Sequence, residues 1–142
     1  MSKHYANAFW KGNLREGNGK YTLKTSGYEG TMRFSTRFED DKTASSPEEL
    51  IGAALASCFS MALANDLDKE GHTAERIETS TEVTLANTGS GFSITEILLK
   101  TNGRVKDLSK EKFLETAEKT KQNCPVSRAL TGTKIRLEAE LL

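Results

Sequence analysis

The sequence has no excess of either charge: 20 Lys and Arg stand against 20 Asp and Glu in 142 residues. That balance argues against a nucleic-acid binder, which concentrates positive charge to displace counterions. Proline occurs only twice and no tract is compositionally biased, while 36% of residues are hydrophobic, so a disordered chain is excluded. No uninterrupted apolar run reaches the roughly 18 residues that suggest a membrane span. The opening Met1-Ser2-Lys3-His4-Tyr5-Ala6 also lacks the basic, apolar, small-residue order of a signal peptide. These absences lead us to expect a cytoplasmic protein with no membrane partner, folded as a single domain over residues 1–142. Aromatic residues make up only 7%, so aliphatic side chains and alanine must carry much of the core.

Histidine and cysteine are scarce too. His4 and His72 have no ligand spacing with the cysteines, so no metal site is expected. No glycine-rich phosphate loop follows a strand, and there is no C-x-x-C motif. In a reducing compartment a structural disulfide is unusual. The two cysteines, Cys58 and Cys124, are therefore either packing residues or working thiols.

The first 40 residues read as three strands, Tyr5–Trp10, Gly19–Thr25 and Thr31–Phe38, separated by Gly and Asn turns. Ser46, Pro47 and Glu49 form an S-x-x-E helix start with proline at the first helical position. The helix that follows, Leu50–Leu67, has no polar stripe before Asn65 and must be covered on all sides, by its own sheet or by a second subunit. Arg76–Ala86 alternates as a half-buried strand, with Ile77, Thr79, Thr81, Val83 and Leu85 on one face, and Phe92–Thr101 returns antiparallel to it. A surface helix starts at Ser109, burying Phe113, Leu114 and Ala117, and ends near Cys124. Pro125 starts a short helix, and Thr133–Leu141 closes the chain as a strand. Strand groups interrupted by helices, without strict alternation, indicate an α+β fold.

Cys58 lies in the middle of the apolar helix, where a thiol is commonly an inert core residue. Burial there raises its pKa, so a reactive Cys58 needs a cation brought to it. Cys124 stands at the cap of the short helix, where free N–H groups favour a thiolate. The two are 66 positions apart, so only the fold can bring them together.

The segment Ser46-Pro47-Glu48-Glu49-Leu50 through Ala56-Ser57-Cys58-Phe59-Ser60-Met61 resembles the active-site helix of the OsmC family of hydroperoxide reductases, which includes the organic hydroperoxide resistance (Ohr) proteins. Asn123-Cys124-Pro125-Val126-Ser127 resembles the family's second cysteine motif. Thr36-Arg37-Phe38-Glu39 and the final strand resemble the OsmC branch. The resemblance covers essentially the whole chain. It implies an intertwined α+β homodimer that reduces organic hydroperoxides with no bound cofactor, recycled by an external dithiol, plausibly of lipoyl type. By match to its motifs, Cys58 is the peroxidatic cysteine, Cys124 the resolving one, Arg37 the active-site arginine and Glu48 the active-site glutamate. In Ohr relatives the arginine comes from the first turn region, where this chain has Arg15. Arg37 is the expected residue here, with Arg15 and then Arg33 as alternatives.

The chemistry accounts for these residue types. An arginine, always charged, favours a thiolate and offers a fork of donors to both peroxide oxygens. Ten helical residues put Glu48 about 15 Å along the axis from Cys58, so a Glu48 that serves Cys58 is expected to come from the other subunit. Ile51, Leu55, Phe59 and Met61 are candidates to line an apolar substrate pocket. A reading of another class stays open: a redox-sensing or ligand-binding dimer whose disulfide switches once, without turnover.

Overall fold

The computed structural model describes residues 1–142 as two compact units, Met1–Leu50 and Ile51–Leu142. The first is a meander of β1 (Ala6–Lys11), β2 (Asn18–Leu23) and β3 (Tyr28–Arg33), paired antiparallel in the order β1-β2-β3. Gly12 and Gly27 hold positive φ in the two turns, which side chains with a Cβ rarely adopt. Trp10, Gly19 and Met32 share one row across the sheet, so a side chain at position 19 would collide with both neighbours.

The third strand ends sooner than its alternation suggests. Residues 34–38 form a short helix, α1 (Phe34–Phe38), rather than the end of a strand running to Phe38. Local side-chain bonding diverts the chain there. The Thr36 hydroxyl accepts from the Arg33 N–H at 3.2 Å and is within hydrogen-bond reach of two carbonyls, Arg33 at 2.9 Å and Ser45 at 3.0 Å. The following loop is knotted by Asp41, which accepts from Ser35 Oγ at 2.6 Å and from the N–H and hydroxyl of Thr43 at 2.8 and 2.6 Å. These donors hold the Asp41 carboxyl down at about 2.

Helix α2 (Pro47–Lys69) starts at the end of this unit and runs on into the second. Its start matches the sequence signal: the Glu49 N–H donates to Ser46 Oγ at 3.1 Å. In the second unit, β4 (Ala74–Asn87) and β5 (Phe92–Val105) form a long antiparallel hairpin. The chain then passes through α3 (Lys110–Asn123) and α4 (Pro125–Ala129) to β6 (Lys134–Leu141), which lies parallel to β5 in a sheet ordered β4-β5-β6. One face of α2, with Leu55, Phe59, Leu63 and Leu67 fully buried, packs into a core with Ile97 and Leu99 of β5 and Phe113 and Ala117 of α3. Each of the Leu, Ile and Phe side chains contributes roughly 1.5–3 kcal/mol by leaving water. Gly52 lets α2 approach β4, since a Cβ there would meet Thr81 and Val83.

Two expectations need correction. Leu114 is exposed at 46%, and α3 instead buries Thr116 and Thr120 beside Phe113 and Ala117. Those hydroxyls are satisfied by carboxylates, Thr116 by Glu70 at 3.0 Å and Thr120 by Asp66 at 2.8 Å. Helix α2 is also long and apolar enough, on length and composition alone, to cross a membrane. Glycine, alanine and serine between its larger side chains keep it apolar on average without an unbroken run. The packed face of α2 builds the core described above, while Ala54, Ser57 and Met61 on the other face are exposed.

Candidate active site

Two pairs of chemically active side chains stand out, one in each unit. In the first, Arg37 of α1 donates from Nε and Nη2 to Oε1 of Glu48, at 2.9 and 2.8 Å. Its carboxylate is buried at the second position of α2, with the residue 6% exposed, while the Arg37 side chain is 39% exposed. Arg37 therefore does not pair with its sequence neighbours Glu39 or Asp40. Asp40 instead faces Lys42. The same guanidinium lies over the Phe38 ring, 5.2 Å from its centroid. Glu48 Oε2 is buried with no hydrogen-bond partner, which leaves a strong acceptor for an incoming donor.

The alternative arginines have other partners or none of this kind. Arg15 stacks over Phe34 at 4.9 Å, and Arg33 is exposed at the end of β3. Arg37 alone of the three forms an ion pair with Glu48.

A cavity of about 280 Å³ opens beside Arg37, lined by Trp10, Leu14, Met32, Phe34, Phe38 and Pro47 together with Arg33 and Arg37. Its wall is almost wholly apolar, and the Phe34 and Phe38 rings close one side with their centroids 4.9 Å apart. The pocket residues suggested by the sequence serve differently: Leu55 and Phe59 are core, Ile51 packs against the core, and Met61 is 75% exposed. The cavity wall had a legible trace, because Phe34 and Phe38 stand one helical turn apart.

In the second unit, Cys58 of α2 and Cys124, the cap of α4, are free thiols with their sulfurs 3.1 Å apart. Cys124 is 1% exposed, whereas Cys58 is half-buried. The two differ in acidity. Burial and the neighbouring Cys124 push the Cys58 thiol up, against a smaller opposing pull from the Val126 N–H. Burial pushes Cys124 up as well, but the Ser127 N–H, Cys58, the Ser127 hydroxyl and the Val126 N–H together outweigh it, and the net shift is downward.

The structure thus brings the four anticipated residues together as two pairs, Arg37 with Glu48 and Cys58 with Cys124. Comparison with known proteins gives this arrangement its context. The family model for OsmC-like proteins matches residues 39–140. The chain belongs to the OsmC family. It is 38% identical to Peroxiredoxin OsmC of Escherichia coli over 135 residues, covering 94% of this chain and 93% of that one. Among solved structures, the organic hydroperoxide resistance protein OhrB of Bacillus subtilis superposes with a TM-score of 0.72 at 25% identity, covering 95% of this chain and 97% of that one. An OsmC-like protein of Vibrio cholerae gives a TM-score of 0.77 at 19% identity, covering 98% and 99%, a likeness of fold. The α+β architecture, with two sheets and a long helix, is the OsmC/Ohr fold.

Proposed function

We propose that this OsmC protein is a thiol peroxidase that reduces organic hydroperoxides to alcohols. The observation that carries this reading is the approach of two free sulfurs to 3.1 Å from positions 66 residues apart. Cys58 as thiolate attacks the terminal peroxide oxygen; the O–O bond breaks, and the alkoxide takes a proton and leaves as the alcohol. Cys58 becomes a sulfenic acid, which Cys124 condenses with to a disulfide, releasing water before over-oxidation. An external dithiol of lipoyl type returns both thiols, and the scheme needs no bound cofactor. It suits the reducing cytoplasm and uses neither nucleic acid nor a membrane.

Because Cys58 is raised by burial, it needs a cation to ionise. Arg37, held by Glu48, is the group for this task, and its apolar cavity suits the organic part of the peroxide. Glu48 and Cys58 lie ten residues apart on α2, about 15 Å along its axis. We assign the Arg37–Glu48 pair that serves each Cys58 to a second copy of the chain, in a homodimer. The exposed α2 face of Ala54, Ser57 and Met61 supports such a partner. Met61→Asp is expected to yield monomers in sedimentation and to lose peroxidase activity; a dimer of full activity would refute the shared site.

The test of the activity is peroxide consumption by the reduced protein with dithiothreitol or dihydrolipoamide, comparing cumene hydroperoxide with hydrogen peroxide. Many turnovers favouring the organic peroxide, abolished in Cys58→Ser, are expected. The competing reading is a redox switch that oxidises once and does not turn over. Consumption that stops at one equivalent with either reductant would establish the switch and overturn the peroxidase.

A further inference from the structure

Resting on the two-cysteine reading above, we propose that Ser127 sets the direction in which the Cys58–Cys124 disulfide is reopened: its hydroxyl receives the charge that leaves on Cys124, so the external dithiol attacks Cys58. Three features of the site carry this. The sulfur of Cys124 is closed to an incoming molecule, the residue being 1% exposed, whereas Cys58 is half-buried on α2. Thiol–disulfide exchange needs attacker, central sulfur and leaving sulfur nearly in line, so access to Cys58 makes Cys124 the sulfur that departs. The third feature is Ser127 itself, three residues beyond Cys124 in α4. It is 7% exposed, and its Oγ makes no well-formed hydrogen bond elsewhere, while it stands near enough to the Cys124 sulfur to favour the thiolate. A buried hydroxyl with no other partner is uncommon and calls for a reason. Here the reason is a donor directed at Cys124, whose hydrogen bond tightens when that sulfur bears the charge. The downward shift of Cys124, to which this hydroxyl contributes, agrees, because the more acidic thiol is the better leaving group.

The electrons balance as follows. A thiolate of the dithiol bonds to Cys58 Sγ, the Cys58–Cys124 bond breaks, and its electron pair leaves on Cys124 as a thiolate. The second thiol of the reductant then gives up its proton, attacks the reductant's own sulfur in the mixed disulfide and expels Cys58 as a thiolate. The dithiol ends as a cyclic disulfide, having lost the two electrons that the protein gained.

The experiment starts from reduced full-length protein given one equivalent of cumene hydroperoxide, with the disulfide verified by intact mass. If no disulfide forms at that stage, the two-cysteine reading itself fails, before Ser127 is tested. Glutathione is then added, the reaction is quenched in acid, and the adduct is located by peptide mass. Glutathione on Cys58 is expected; glutathione on Cys124, or equally on both, overturns the proposal. In Ser127→Ala, reopening by dithiothreitol is expected to slow several-fold, and more than the peroxide step slows. Ser127→Thr, which keeps the hydroxyl, is expected to restore it. In a Cys58→Ser background, thiolate absorbance should show Cys124 ionising at higher pH once Ser127 is alanine. Reopening of Ser127→Ala at the wild-type rate, or an unmoved Cys124 titration, would remove the role assigned to Ser127.

Discussion

The two units of this chain differ in what holds them together and in the chemistry they carry. Every fully buried apolar side chain lies within Ile51–Leu142, while Met1–Leu50 buries only Gly19 and Glu48. The first unit leaves Tyr5, Phe9, Leu14 and Tyr28 well exposed and is tied instead by polar knots such as those of Thr36 and Asp41. A unit with so little core gains little from hydrophobic burial of its own. Its one buried charge, Glu48, is held by a residue proposed for catalysis. The second unit shows the opposite balance: a packed core holding a thiol pair in which burial pushes the Cys58 thiol up. The first unit therefore carries the cation and apolar cavity, and the second the sulfurs.

Core truncation breaks this contrast most strongly. Phe59→Ala removes a fully buried ring from the second unit and is expected to cost about 3–5 kcal/mol in denaturant unfolding. Phe9→Ala in β1, where the ring is 58% exposed, is expected to cost under about 0.5 kcal/mol in monomeric protein. A Phe9 cost as large as that of Phe59, appearing only at concentrations where the protein is dimeric, would show that a second copy covers the β1 face.

The contrast also explains what was legible in the sequence. Alternation revealed β4 and β6 because their inner faces meet a core made by the same unit, the turn after Asn87 revealed β5, and the Ser46 cap located α2 from its own hydrogen bond. The family motifs located all four residues of the two pairs, although their spatial pairing is a product of the fold. Features that depend on distant partners were not legible. Thr116 and Thr120 are buried because Glu70 and Asp66 receive their hydroxyls, and no local pattern on α3 announces that. Residues 34–38 read as the end of a strand in the sequence, but side-chain bonds of Thr36 to Arg33 and Ser45 override that and form helix α1. Of the residues suggested for a pocket, Leu55 and Phe59 are core, Ile51 packs against it and Met61 is exposed, since apolar character alone does not say which neighbour covers a side chain.

A middle-sized effect is expected at the ion pair. Arg37→Ala leaves the Glu48 carboxylate buried without its partner, at a cost of about 1–3 kcal/mol, moderated because water reaches the half-exposed arginine site. Its peroxidase rate is expected to fall about a hundredfold, the usual order for losing one preorganised donor. Glu48→Gln keeps the shape and removes the charge, so stability is expected to change by less than about 1 kcal/mol while the rate still falls. Parallel kinetics and unfolding curves for the two variants check this. A Glu48→Gln enzyme of full rate would mean that the pair is structural and that another cation serves Cys58.

The smallest effect concerns the polar knot at Asp41, and pH is the tool that isolates it. Its carboxyl is held at about 2 in the folded chain by Ser35 and Thr43, below the ordinary value near 4 that it regains on unfolding. A depressed acid stabilises the folded state fully above its unfolded value, and that contribution disappears as pH falls through the folded value. Asp41→Asn should therefore lower stability near neutral pH, with the gap from wild type narrowing below about pH 4 and closing near pH 2. The carboxylate is well solvated, so the gap will be small, but its shape is diagnostic. Hydrogen exchange resolves where it acts: faster exchange in residues 39–46 of the variant, with the α2 core amides unchanged, would tie the knot to the loop between Arg37 and Glu48. Equal loss of protection in both places would mean that the polar first unit and the packed second unit unfold together, and the division between them would not extend to folding.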